Sequence, residues 1–156
     1  MRGRIRWIAA TTTAVVALVA AGGAIAPAAG PPRTLALNSV DQRCAYVDVG
    51  RKGDSVGDEM FCRGTLRAAA GNAAAGSVRY ACAYLGTERA GSQCTAQARL
   101  AGGTLLLAGT LSQTNAVSDW GVIGGTGSYA GARGSARLRQ LSATRTAVTI
   151  TLLGDA

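Results

Sequence analysis

The sequence predicts an all-β fold, an antiparallel meander of about eight short strands built into one domain behind an N-terminal export signal. Three observations predict it. Apolar and polar residues alternate with period two in segment after segment, the mark of half-buried strands. Glycine-rich and asparagine-containing turn signals separate those segments at short, even intervals. Four cysteines, Cys44, Cys62, Cys82 and Cys94, fall within the alternating segments, an even number suited to two disulfides in an exported chain.

The chain opens with "MRGRIRWIAATTTAVVALVAAGGAIAPAAG". Arg2, Arg4 and Arg6 precede an apolar run from about Ile8 to Ala26, and Ala26-Pro27-Ala28 is a small-x-small processing site. This is the layout of a secretory signal peptide. An uncleaved anchor is the competing reading. The Ala- and Thr-rich run, ending in a processing site, favours cleavage, so residues 1–28 are set aside. The protein is then expected to be extracellular, with no membrane attachment after cleavage. Three of the sixteen basic residues leave with the signal and all eight acidic ones stay, so thirteen face eight, near +5. Residues 29–40 are expected to form a flexible mature N-terminus, and 41–156 a single β domain.

The strands are expected at 43–49, 58–67, 77–85, 92–100, 104–112, 118–123, 132–140 and 145–153. "EMFCRGTLR" puts Met60, Cys62, Gly64 and Leu66 on one face. "RYACAYLG" puts Tyr80, Cys82 and Tyr84 together, and "QCTAQARL" does the same for Cys94, Ala96, Ala98 and Leu100. "RTAVTITLL" gathers Val148, Ile150 and Leu152. The links are "GRKGD", "AAGNAAAG", "GTERAGS", "AGGT" and "TNAVS". A meander with one apolar face must close into a barrel or form a sandwich.

The registers can be tested by folding the chain back at its turns. With Gly102-Gly103 as a two-residue hairpin loop, Leu100 faces Leu105, Ala98 faces Leu107 and Ala96 faces Gly109. The same operation places the four cysteines in one row across four neighbouring strands. Neighbouring strands lie about 4.8 Å apart, and a disulfide needs Cα atoms within about 7 Å. Only Cys44–Cys62 with Cys82–Cys94 uses all four within that reach. Zinc has no spacing support, because there is no histidine and no CxxC pair, and no metal site is expected.

"GVIGGTGSYAGARG", residues 121–134, invites a nucleotide-binding reading. A dinucleotide fingerprint needs a helix after it, a third glycine where Ala130 stands, and an acid about twenty positions on. The chain offers none of these, and too few residues follow for a parallel return strand. The stretch reads instead as a glycine-bent corner between two strands. Here the sequence resembles a family. Val122-Ile123-Gly124-Gly125-Thr126-Gly127, then Tyr129, then Ala132-Arg133-Gly134, is similar to the corner of dirigent proteins and of the related allene oxide cyclases. "VGDEMFCRGTL", residues 56–66, is similar to the opening strands of small bacterial members. The resemblance implies an eight-stranded antiparallel closed barrel with an apolar lumen, often assembled as a trimer. It implies a structural role for the corner residues Gly124, Gly125, Gly127, Tyr129, Arg133 and Gly134.

The resemblance also implies that the lumen holds a reactive apolar molecule in one conformer for cyclisation or coupling, an orientation effect. A few polar lumen groups would assist by acid chemistry or charge stabilisation. The apolar face offers Asp48, Tyr80 and Tyr84 as candidate catalytic groups. It offers Tyr46, Met60, Tyr80, Tyr84, Leu105 and Leu107 as candidate ligand-binding residues. Each has a plainer role: the tyrosines fill a narrow lumen, and Asp48 caps the "GRKGD" turn. Asp119, just before the corner, reads as a turn residue, and Arg133 as structural or interfacial. Without histidine there is no Ser-His or Cys-His pair. No cofactor is expected. The arginines are spread singly along the chain with few aromatics beside them, so they read as a solvated surface and no nucleic-acid partner is expected. Val47, Val49, Phe61 and Leu106 point outward and suggest a homo-oligomer, a trimer on the resemblance. Two readings stay open beside the steering barrel: a secreted binding barrel without turnover, and a protease inhibitor presenting "GTERAGS".

Overall fold

A computed structural model describes residues 30–86, 91–112 and 116–154. The segment expected to be an export signal, residues 1–28, and residues 87–90 of "GTERAGS", the loop of the inhibitor reading, lie outside the described residues. Eight strands follow in order: β1 (Arg33–Val47), β2 (Glu59–Ala68), β3 (Ala74–Tyr84), β4 (Ser92–Leu100), β5 (Gly103–Leu111), β6 (Val117–Gly127), β7 (Gly134–Ser142) and β8 (Arg145–Leu152). Each pairs antiparallel with the next, and β1 closes on β8, giving a closed barrel. Closure leaves the paired stretches without an open edge and turns the apolar face of every strand into one interior.

Alternation sets the wall. On β4, Ser92, Cys94, Ala96 and Ala98 are buried while Gln93, Thr95, Gln97 and Arg99 are exposed. On β5 the buried positions are Leu105 and Leu107, and on β8 they are Ile150 and Leu152. The inward sets meet across each pair, Ala98 opposite Leu105 and Ala96 opposite Leu107.

Several expectations need correction. The β4–β5 loop is Ala101-Gly102, with Leu100 opposite Gly103, so the register sits two residues from the expected one. A shift of two keeps every side chain on its side of the wall. The cysteine row is offset in the same way. Cys44 faces Cys62 and Cys82 faces Cys94, but Cys62 faces Tyr80 and Cys82 faces Met60. The turn between β2 and β3 sets the offset: the Ala68 N–H bonds to the Ala73 carbonyl, which centres the turn before Asn72, and the slip between Leu66 and Arg67 recovers only one residue of it. Both expected disulfides are present, Cys44–Cys62 and Cys82–Cys94.

The segment expected as a flexible lead-in is largely strand. Residues Arg33–Ser39 pair with β8 and supply Leu35, Leu37 and Ser39 to the interior, so the domain starts near residue 33 rather than 41. Sequence alternation obscured this because β1 changes phase. Asp41 takes a positive φ of 54° and the register slips between Val40 and Arg43. Odd residues face inward before that bulge, and Gln42 faces inward after it. Beyond Ser39, β1 pairs with β2 and no longer with β8, so its last residues form a hairpin with β2 that projects past the rim.

The two barrel ends are built differently. At one end Gly127 pairs with Gly103, and Gly134 pairs with Leu152. The corner 128–133 folds across this end, with Tyr129 and Ala132 buried beneath it. Gly124, Gly125 and Gly127 lie within β6 rather than in the turn. A Cβ on Gly125 would meet the Tyr129 carbonyl oxygen and lie 2.7 Å from the Thr104 carbonyl oxygen. Gly127 has φ +62 and lies against the Gly102 carbonyl oxygen. The Arg133 guanidinium donates to the carbonyls of Ile123, Gly131 and Ala132, and Arg33 sits 5.9 Å from the Tyr129 ring centroid.

Candidate functional site

The other end is open. A cavity of ≈ 120 Å³ runs into the barrel from that mouth. Its deeper wall is apolar: Leu37 and Leu66, Val78, Ala96 and Ala98, Leu107, Leu138, Val148 and Ile150. Small side chains on β4, Ala96 and Ala98, face this space together with the larger ones of β7 and β8 and leave it unfilled. The indole of Trp120 forms part of the floor, 5% exposed. Gly109 makes room for it, since a Cβ there would collide with the indole ring. The Trp120 Nε1–H donates to the Thr110 carbonyl at 3.1 Å, so its polar atom is already engaged.

Polar groups gather at the mouth. The Gln42 Nε2 donates to Ser39 Oγ at 2.9 Å and to Thr146 Oγ1 at 3.2 Å. These three side chains bridge β1 and β8 at the bulge. Gly64 lies beneath, where a Cβ would come within 2.9 Å of Ser39 Oγ and 3.3 Å of Gln42 Cγ. Ser118, Gln140 and Tyr80 complete the polar lining. Among the described residues no Asp, Glu, Lys or Arg lines the cavity. Tyr80 is its one titratable group among the described residues. Burial pushes the phenol above the ordinary tyrosine value, and the neighbouring Tyr46 adds to the shift. The phenol is therefore neutral and an O–H donor across the physiological range. The polar contact it makes is a long one, 3.9 Å from Cys44 Sγ.

The structure brings only some of the expected residues together. Tyr80 and Leu107 line the cavity. Leu105 is fully buried outside its lining, in the packed core. Met60 is half-buried against that core and Tyr84 is half-buried near the rim; neither lines the cavity. Tyr46 is 76% exposed, because its stretch of β1 belongs to the projecting hairpin rather than to the closed wall. Asp48 lies on the same projection. It is exposed and accepts a hydrogen bond from the Gly53 N–H at 3.1 Å, which is turn capping and not lumen chemistry. Asp119 faces outward and pairs with Arg137 at 2.8 Å, which holds its carboxyl below the ordinary value.

The lumen residues that sequence reasoning missed are Trp120, Ser39, Gln42, Ser118, Gln140 and Thr146. Trp120 had a signal: it alternates with Ser118 and Val122 in "SDWGV". Gln42 had none, because the bulge that turns it inward follows no local pattern.

A closed eight-stranded antiparallel barrel, plugged by a glycine corner at one end and hollow at the other, defines the class of protein. The chain shares this barrel fold with dirigent and cyclase proteins. No family model and no curated protein matches it. Solved structures do. A pyocyanin demethylase is similar at TM-score 0.68 and 21% identity, over 77% of this chain and 99% of that one. A pterocarpan synthase dirigent protein is similar at TM-score 0.68 and 15% identity, over 82% and 98%. An exo-specific intermolecular Diels-Alderase is similar at TM-score 0.61 and 15% identity, over 80% and 100%. At such identities the likeness is one of fold.

Proposed function

We propose that this protein is an exported barrel that takes a small, uncharged, largely apolar molecule into its lumen and holds it in one conformer, steering a cyclisation or coupling. The observation that carries the reading is a cavity of ≈ 120 Å³ whose wall is apolar and whose polar groups are all neutral and gathered at the mouth. A charged ligand would lose its hydration there without a counter-charge. A ring-sized neutral molecule would bury its apolar body against Trp120, Leu107 and Ile150 and meet hydrogen bonds from Tyr80 and the Gln42 cluster at its polar end. Restriction to one conformer is the catalytic resource such a site offers. The dirigent protein and the Diels-Alderase of like fold support a steering role. The two disulfides support export.

The same chemistry favours a second reading, a binding barrel without turnover, because Tyr80 is the one titratable group of the lining among the described residues.

Trp120 provides the test. Of the two tryptophans, Trp7 lies in the export signal, so Trp120 is the reporter of the processed chain. Titrating a neutral ring compound such as p-cresol should shift its emission saturably, and benzoate should not. An unchanged emission up to the solubility limit defeats the lumen proposal. Turnover of a compound that does bind then separates the steering barrel from the passive one. A homotrimer belongs to the same proposal. Val47, Val49 and Val56, exposed on and beside the projecting hairpin, are the apolar surface it would cover. Light scattering that returns a monomer mass would remove that part alone.

A further inference from the structure

The arginines that look scattered in the sequence are not scattered on the wall. Arg43 stands directly opposite Arg63, and Arg63 directly opposite Arg79, so three successive strands carry one row of guanidinium groups. Arg79 faces Gln97, and Arg99 lies two residues further along β4 on the same outer face. All four arginines are exposed. Among the described residues none of the four has a hydrogen-bonded or ion-paired partner; the surface pair Arg137–Asp119 lies on β6 and β7. Like charges directly opposite on a sheet repel. The row therefore weakens the wall it stands on unless an anion relieves it.

The row borders a groove. A depression of ≈ 370 Å³ on the outer wall is lined by Phe61, Ala81, Thr95, Gln97, Leu106 and Ile123, with Arg79 at its edge. Phe61 and Ile123 are exposed apolar side chains, while Thr95 and Gln97 offer hydroxyl and amide groups. A sugar ring has the matching character, with an apolar C–H face and a polar edge. Strands repeat at about 4.8 Å, so the cations are spaced in single file, one per strand. We propose that this wall binds a linear acidic polysaccharide, its carboxylate or sulfate groups on Arg43, Arg63 and Arg79 and its rings along the Phe61–Ile123 groove.

A second copy of the chain does not complement the row. Acidic residues number eight against sixteen basic, and the described ones gather in the 48–59 segment and singly at Asp41 and Asp119. Single-stranded nucleic acid needs a track of aromatic platforms, and of the two aromatic residues beside the groove Tyr80 belongs to the lumen lining, which leaves Phe61.

The test is calorimetric titration of the full chain with polygalacturonate and with heparin at physiological salt, with neutral dextran as control. The R43Q/R63Q/R79Q variant should lose about tenfold or more in affinity, whereas K52Q/R139Q/R145Q, with the same net charge, should stay within about twofold of the parent. Unchanged or raised thermal stability of the first variant at low salt shows that the barrel remains folded. The proposal is overturned by absent polysaccharide binding, or by equal loss in both variants, which means net charge alone. It is also overturned by tighter binding of a single-stranded oligonucleotide, or by an oligomer that dissociates in R43Q/R63Q/R79Q while polysaccharide binding is retained.

Discussion

The glycine end and the mouth of the barrel obey one alternation rule and come out as opposites. At the glycine end, paired glycines let backbones approach and Tyr129 and Ala132 fill what remains, 4% and 0% exposed. At the mouth the inward positions are Ser39, Gln42, Ser118 and Thr146, and the space between them is open. One end is sealed by backbone contact and large side chains. The other is held by side-chain hydrogen bonds and by disulfides on its rim. Alternation decides which residues face inward, but residue volume decides whether the interior is packed or hollow.

The largest effect should come from breaking the sealed end. Tyr129→Ala removes the plug from a site with no spare room, and about 3–5 kcal/mol of stability should be lost, by analogy with other aromatic deletions. Urea denaturation checks it. A loss under about 1 kcal/mol would mean that the corner is not the anchor of the barrel. Next is the disulfide rim. Replacing Cys82 and Cys94 together by alanine opens a loop of sequence separation 12, and about 3 kcal/mol should go. Trp120 emission in that variant should still respond to p-cresol, since neither cysteine lines the cavity.

The mouth should respond in the opposite sense, with little change in stability and much in binding. Gln42→Leu removes the donor to Ser39 and Thr146 but leaves both hydroxyls at the rim. Stability should fall by about 1 kcal/mol. Affinity for a ring compound with a polar end should drop further than affinity for its apolar parent. If both fall alike, the rim shapes the cavity without reading the ligand.

The same contrast explains what could be read in advance. Strand number, antiparallel pairing and both disulfides follow from period-two alternation and turn spacing, which are local. The packed end was legible too, because "GGTGSYAGARG" concentrates the glycines that close backbone approach requires. The mouth was largely illegible. Its geometry depends on the Asp41 bulge, which reverses the inward face of β1 midway, and on where β1 parts from β8. The bulge is a slip of β1 against β2, between the Val40–Thr65 and Arg43–Arg63 pairs, and the parting is decided by pairing between residues over a hundred positions apart, such as Ser39 with Thr146. That is why Tyr46 and Asp48 were expected inside and stand outside. Tyr80 sits on the other side of this divide, on the stretch of β3 from Gly76 to Tyr84 that pairs with β4 without a slip.

The smallest predicted effect concerns that residue and pH. Burial, and then Tyr46, raise the Tyr80 phenol above the ordinary value of 10.0. The unfolded chain then gives up this proton first as pH rises. A group with a raised native value contributes its full share of stability below its unfolded pKa, and loses it as pH climbs through the native one. Stability should therefore be flat across neutral pH and sag on the alkaline side, beginning near the ordinary tyrosine range. Tyr80→Phe should flatten part of that sag while leaving the acid limb alone. The acid limb belongs to other groups. Asp58, held low by the Val49 and Ser55 N–H groups, and Asp119, held low by Arg137, favour the fold above the ordinary carboxyl value of 3.8. Their contribution disappears as pH falls through their lowered native values, and both are exposed enough for it to be slight. Denaturation midpoints for the parent and for Tyr80→Phe, compared at neutral and strongly alkaline pH, check the assignment. An identical alkaline sag in both proteins would place the titrating phenol elsewhere, and would leave Tyr80 lining the lumen without the desolvation that makes it a proton-holding donor there.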